Sequence, residues 1–335
     1  MTTKAHNAKV NAERGAMDLV KLIEQFADED RCRTYLEQLR WPEGVRCPRC
    51  DNDKVKAIQS KTYYRTGPKK GQERGKRHQY DCSCGYQFSV KSGTVLQDSH
   101  LPLWKWFLAT YLMCESKKGM SANQLKRTLG VSYEAAWFLC HRIRSAMIDD
   151  GEALAGTIEA DETYVGGKLG EFPSLKESAR HRRDNKTIVL GAIERGGKLR
   201  VRVAADAKHN TIHGFLDDVV ADDAEAIYTD SFRSYRGLAD EDTRHEWVNH
   251  SAGEYVRGDV HTNSIESAWS LFDRAVIGSY HKLSTKHLPA YLREFEFRFN
   301  NRDNPFLFRD TLIALLKGEI LTYEALVAPK HWEAP

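Results

Sequence analysis

The spacing of hydrophobic residues changes several times along this chain, and each change marks an element. From Ala16 to Arg40, Leu19, Leu22, Ile23, Phe26, Tyr35, Leu36 and Leu39 recur at helical spacing, which predicts one or two helices before WPEG at 41–44 ends them. Residues 45–95 carry strand-like runs broken by a long basic insert, KTYYRTGPKKGQERGKRHQY. Residues 101–149 read as all-helical. There, Ser121-Ala122-Asn123-Gln124 has the S-x-x-Q form of a capping box, Gly130 allows a tight turn, and Ser132 can cap a second helix running to about Met147. Leu125, Leu129, Val131, Ala136, Leu139 and Ile143 supply an inner face for this helical pair. From residue 157 strands and helices alternate. TIEADETYVGG reads as a strand ending in a Gly166-Gly167 turn, and KTIVLGAIERGGKLRVRVAAD as a hairpin through Arg195-Gly196-Gly197. NTIHGFLDDVV reads as a helix capped by Asn210, EAIYTD and TRHEWVNHS as strands, and 262–277 as a helix. Beyond 306 only Thr311–Lys317 has helical character.

The length, 335 residues, allows two or three domains. The pattern divides them into an N-terminal helical segment (16–44), a cysteine-bearing ribbon (45–98), a helical domain (99–150), an α/β domain (155–305) and a C-terminal tail (306–335). Hydrophobic residues make up 41% and charged residues 29%, a soluble globular mixture. No apolar run reaches the ~18–20 residues of a membrane span, and the N-terminus lacks the apolar stretch of a signal peptide. A cytoplasmic protein with no membrane partner is the expectation.

The net charge of +3 says little, but its distribution says more. Arg46 to Tyr80 holds eleven Lys and Arg against three Asp and Glu, and Arg180-His181-Arg182-Arg183 with Lys186 forms a second basic cluster. Such patches suit polyanions, because phosphate contacts release counterions, although a solvated basic loop has the same composition.

Seven cysteines, an odd number, argue against a disulfide framework. Cys47, Cys50, Cys82 and Cys84 fall into two close pairs, CPRC and CSCG, which can close a tetrahedral Zn²⁺ site. Four protein ligands leave no open position, so the zinc would be structural, stabilising a segment of ~50 residues. His78 is an alternative ligand. Cys32, Cys114 and Cys140 read as buried thiols. The helical pair at 122–147 has the helix–Gly turn–helix layout of a DNA-reading motif, and equally that of an ordinary helical hairpin. As a DNA reader it would offer Tyr133, Arg142 and Arg144, with Arg182 and Arg183 supplying further contacts.

The order β-β-β-α-β-β-α over 157–277 matches an RNase H-like mixed sheet, with Asp161 on the first strand and Asp230 at the end of the fourth. Those strands are neighbours in that fold, so the two carboxylates meet. Glu162, next to Asp161, competes for the inward position. In the helix at 262–277, Ile265, Ala268, Trp269, Phe272 and Val276 make a buried stripe, while Asn263, Glu266, Ser270 and Arg274 line another. Glu266 can therefore point toward the two aspartates, and Arg274 can reach a phosphate. Three such carboxylates suit two Mg²⁺ ions (or Mn²⁺) working on a phosphodiester.

Together these segments resemble the zinc-ribbon DDE-type insertion-sequence transposases, the ISXO2-like group related to the Merlin transposons. The resemblance spans about 30–325 and is carried by YLEQLRWPEGVRCPRC, CGYQFSVKSGT, MSANQLKRTLGVSYEAAWFLCHRIRSAM, IEADETYVGGK, KTIVLGAIERGGKLR, YTDSFRSY, HTNSIESAWSLFDRAVIGSYH and FEFRFNNR. It implies Mg²⁺-dependent cleavage and strand transfer at terminal inverted repeats, with Asp161 and Asp230 as the first two catalytic acids. Glu266 or Asn263 is implied as the third. The partners implied are element-end and target DNA in the nucleoid, bound by a homodimer or higher oligomer. Where the family tends to carry a Lys seven residues after the third acid, this chain has Asp273, with Arg274 beside it. A catalytically impaired DNA-binding regulator and a nuclease without strand transfer are the rival expectations.

Overall fold

Two aspartates open the first two helices. Asp18 accepts the Lys21 N–H and Asp28 the Arg31 N–H, both at 2.9 Å, capping α1 (Leu19–Phe26) and α2 (Glu29–Arg40). The computed structural model describes residues 17–63, 65–149, 151–166, 186–239 and 243–328. The chain divides into two compact units. One is built mainly from the chain up to Glu115, Leu125–Ala146 and Pro305–Val327; the other mainly from Ser116–Gln124 and Met147–Asn304.

In the first unit, β1 (Val55–Tyr63) and β2 (Glu73–Cys82) form an antiparallel hairpin, and β3 (Gln87–Phe88) pairs with β2. The basic insert is not a separate excursion. Its ends are the distal halves of the hairpin, paired in register from Val55↔Cys82 to Thr62↔Gly75, with the register shifting by one residue before Tyr63↔Glu73. The Arg40 guanidinium joins the end of α2 to the chain after the ribbon, donating to the Val90 and Ser92 carbonyls at 2.7 and 2.8 Å.

Three helices follow: α3 (Leu103–Glu115), α4 (Ala122–Leu129) and α5 (Tyr133–Ala146). Ser121 and Ser132 cap α4 and α5, accepting the Gln124 and Ala135 N–H groups at 3.1 Å. Gly130 turns the chain between them at φ +59°. Five of the six residues expected on the inner face are buried, and Val131 is half-buried.

The stretch from 306 is more than a tail. Its helix α9 (Leu307–Lys317) buries Leu307, Phe308, Thr311, Leu312, Leu315 and Leu316 in the first unit. Phe308 packs edge-on to Phe107 at 5.8 Å, and the Val95 N–H donates to the Leu315 carbonyl at 3.1 Å. A short amphipathic run whose apolar partners lie far upstream looks unpaired to any local reading.

The second unit is a five-stranded mixed sheet. Its strands are β4 (Thr157–Val165), β5 (Thr187–Glu194), β6 (Leu199–Ala204), β7 (Ala226–Asp230) and β8 (Arg244–Val248), in the order β6-β5-β4-β7-β8. β4–β5 and β5–β6 are antiparallel; β4–β7 and β7–β8 are parallel. Helix α6 (His209–Val219) lies on one face, where Ile212, Phe215, Leu216 and Val219 pack with Ile158, Ala160, Leu190, Ala192 and Ile227. On the other face lie α7 (Asn263–Ala275) and α8 (Leu288–Asn300), where Ile265, Ala268, Trp269, Phe272 and Phe295 meet Val165, Val189, Ile193 and Val203. Asn210 is not the cap of α6. The helix starts from Lys208, and the nearby turn is held by Asp206, which accepts the Lys208 N–H at 3.1 Å and the Thr211 hydroxyl at 2.6 Å.

Candidate active site and metal centre

Strand alternation decides which acid of β4 faces which helix. Ile158 and Ala160 belong to the α6 face, and Glu162 continues that row. Its carboxylate accepts the hydroxyl of the buried Tyr235 at 2.9 Å. Glu159, Asp161 and Val165 belong to the α7 face, so Asp161 and not Glu162 looks toward α7.

The parallel pairing of β4 with β7 runs from Thr157↔Ala226 to Glu159↔Tyr228. Two residues beyond that last pair, on each strand, stand Asp161 and Asp230, level with one another. Asp230 accepts the Phe232 N–H at 2.9 Å, which orients its carboxylate at the strand end. Glu266 lies in the first turn of α7, half-exposed, and accepts the Thr262 hydroxyl at 2.9 Å, with His250 Nε2 at 3.7 Å. Asn263, at the first position of that helix, is exposed.

Burial, then the negative charges of Glu162, Asp230 and Glu266, push the Asp161 carboxyl up to about 8. Asp230 and Glu266 both contribute negative charge that acts on Asp161, as does Glu162 on the opposite face. Burial acts on Asp161 while Glu266 stays half-exposed, and carboxylate oxygens suit the donor preference of Mg²⁺ or Mn²⁺.

Gly191 makes the approach of α7 possible. It pairs with Asp161 across β4 and β5, and a Cβ there would stand 2.4 Å from the Trp269 ring and 3.1 Å from Ile265. The absent side chain lets α7 settle against the sheet beside Asp161. Arg274 and Asp273 are both exposed near the end of α7.

The four ribbon cysteines form a different kind of site. Among the described residues they are the one group of three or more His, Cys, Asp or Glu side chains whose donor atoms all lie within 4.8 Å of one another; the three carboxylates are less tightly gathered. Cys47 Sγ lies 3.8 Å from Cys84 Sγ, and Cys50 Sγ 3.6 Å from Cys82 Sγ. Two thiolates bound at ~2.3 Å to a tetrahedral Zn²⁺ stand roughly 3.8 Å apart, so the spacing fits structural zinc. Each pair sits on a tight turn, in which the Asp51 N–H donates to the Cys47 carbonyl and the Gly85 N–H to the Cys82 carbonyl. His78 is not a ligand: its Nε2 faces Asp30 at 3.1 Å. Cys32, Cys114 and Cys140 are buried thiols outside this cluster.

The expected DNA-contacting residues separate. Tyr133 is 44% exposed at the start of α5. Arg142 and Arg144 are buried, which corrects their assignment as DNA contacts. The Arg142 guanidinium donates to the Val95 and Gln97 carbonyls and lies over the Trp106 ring, so it joins α5 to the segment before α3. Lys126 and Arg127, in the last turn of α4, are exposed cations with no motif in the sequence to single them out. Arg182 and Arg183 lie outside the described residues. Among the described residues, no helix is long and apolar enough to cross a membrane.

A ribbon with four converging thiolates and a mixed sheet with paired acids define a zinc-ribbon protein with a catalytic-type α/β domain. Comparison with known proteins names the family. A profile for the ISXO2-like transposase domain matches residues 153–300, and one for a transposase zinc-ribbon domain matches residues 27–87. A Halobacterium salinarum protein, described as an uncharacterized protein in transposable element ISH50, is 33% identical over 288 residues, covering 82% of this chain and 92% of its own. An uncharacterized transposase-like protein of Haemophilus influenzae is 32% identical over 77 residues, 23% of this chain and 61% of its own. The chain belongs to the zinc-ribbon, DDE-type ISXO2-like transposases.

Proposed function

We propose that this chain is a DNA transposase that binds the terminal inverted repeats of an insertion sequence and catalyses Mg²⁺-dependent cleavage and strand transfer. What supports this reading is the register that sets Asp161 level with Asp230 on the α7 side of the sheet, with Glu266 in the first turn of α7 and Asp161 pushed up to about 8 by burial and neighbouring acids. The strand order β6-β5-β4-β7-β8, with an antiparallel β5–β6 hairpin beside β4 and two parallel strands on its other side, supports an RNase H-like catalytic domain. Asp161, Asp230 and Glu266 would hold two divalent ions. Such ions, when bound, activate the attacking oxygen and stabilise the leaving one. Glu266 serves as the third acid in preference to Asn263, because a carboxylate supplies the negative charge that a hard divalent cation prefers. Burial around Asp161 would exclude bulk water from the reacting phosphate, and the exposed Arg274 would contact a phosphate oxygen of the bound strand.

The ribbon, held by zinc on Cys47, Cys50, Cys82 and Cys84, and the α4–α5 pair, a helix-turn-helix presenting Tyr133, would recognise the ends. Arg182 and Arg183 would add backbone contacts. A dimer or higher oligomer would hold two ends together on target DNA in the nucleoid.

One observation favours a second reading. Asp273 stands where a Lys is expected, which would suit a DNA-binding regulator that no longer cuts. Incubation with Mg²⁺ and labelled element-end DNA separates the possibilities. Strand-transfer product that disappears in Asp161→Ala and Asp230→Ala supports the transposase. Cleavage without joining indicates a nuclease, and binding without cleavage the regulator.

A further inference from the structure

Glu159 is a fully buried carboxylate on β4, two residues before Asp161 and on the same face. All of its accepting capacity is used. Oε2 accepts the Ser264 N–H at 2.6 Å and the Ile265 N–H at 3.1 Å, while Oε1 accepts the Ser264 hydroxyl at 3.0 Å and Arg195 Nε at 2.7 Å. The first of these groups are the unsatisfied amides at the start of α7, which an N-cap side chain ordinarily takes. Thr262, the N-cap residue, makes no such bond. Its hydroxyl donates to Glu266 instead, at 2.9 Å. The cap of α7 thus comes from another strand, and that frees Thr262 to hold the third acid.

Arg195 completes the arrangement. It turns back from the end of β5 to pair with Glu159, donates to the His261 carbonyl at 3.0 Å, and lies over the Tyr228 ring at 4.8 Å. His261 Nδ1 stands 3.2 Å from Glu159 Oε1. The segment leading into α7 is therefore fixed to the strand that carries Asp161.

We propose that Glu159 is a positioning residue. By capping α7 from β4, it sets the distance between Glu266 and the Asp161–Asp230 pair, and so the affinity of the acidic site for its divalent cation. This rests on the metal-site reading above. A Gln in its place keeps the shape but turns an NH₂ group against donors that now find an oxygen. Outer-shell partners of this kind are worth about tenfold or more in metal affinity.

The test measures Mn²⁺ binding to the full-length, zinc-loaded protein by the electron paramagnetic resonance of free Mn²⁺, with hydrogen exchange at the Ser264 and Ile265 amides. Glu159→Gln is expected to weaken Mn²⁺ binding about tenfold and to speed exchange at both amides. The Glu159→Gln/Glu266→Gln double variant is expected to bind no more weakly than Glu266→Gln alone, because the two act through one contact. Arg195→Gln, which removes the ion pair from its more exposed side, is expected to shift binding the same way and serves if Glu159→Gln fails to fold. Unchanged Mn²⁺ binding in a folded Glu159→Gln or Arg195→Gln protein, or losses that simply add in the double variant, would overturn the inference alone. A wild-type protein with no Mn²⁺ site sensitive to Asp161→Ala would overturn the metal-site reading and the inference together.

Discussion

Asp161 sits where its own ionisation works against the fold. Burial and three neighbouring acids raise its carboxyl from 3.8 to about 8, so folding takes up a proton between those values. The sign follows. Below pH 4 the carboxyl is protonated in both states and costs nothing; as pH rises toward 8 the unfolded chain gains from ionisation while the folded one does not, and stability falls. In metal-free protein, Tm is expected to decline from pH 5 to pH 8, and Asp161→Asn to flatten that decline and raise Tm at pH 8 by roughly 3–5 °C. Mg²⁺ should stabilise the wild type and not the variant. Calorimetry across this range checks both. Glu162 shows how finely the placement is resolved: one residue along, on the opposite face, its carboxylate meets a tyrosine hydroxyl.

At the scale of elements, the α4–turn–α5 pair and the ribbon separate structural from binding residues. Arg142→Ala removes a buried guanidinium from two backbone carbonyls and is expected to cost about 2–3 kcal/mol of stability, with little specific effect on DNA affinity. Tyr133→Ala should behave in the opposite way, weakening end binding several-fold without moving Tm. Denaturant melts and fluorescence anisotropy on the two proteins distinguish these roles. For the ribbon, a structural zinc on the four cysteines would be lost in Cys50→Ser and β1–β3 would unfold, read by metal analysis and by exchange protection over 55–88. Much at this scale was legible in the chain. Serine caps, Gly130 and apolar spacing placed α4 and α5, and strand alternation with Gly turns placed β4 to β8, because those signals are local. Arg142 is not legible in this way, because an arginine on a helix looks the same in sequence whether its head reaches solvent or a buried carbonyl. Helix α9 looks like tail in the sequence because its partners lie in another part of the chain. Glu159 is legible in part, since an acid two places before Asp161 in a strand must share its face.

In the whole molecule, the catalytic-type unit is a sheet whose two faces do different work. The α6 face is a conventional apolar core. The α7 face gives up one side chain at Gly191 and buries one carboxylate at Glu159, and α7 settles against the sheet there. The chain belongs to a transposase family, and the proposed cutting of DNA rests on the placement of these residues. The most direct measurement of that claim is anomalous diffraction from crystals of the protein soaked in Mn²⁺. The account predicts a peak bounded by the carboxylates of Asp161, Asp230 and Glu266, lost in Asp161→Ala crystals. Ordered Mn²⁺ elsewhere with none at these three acids would contradict it.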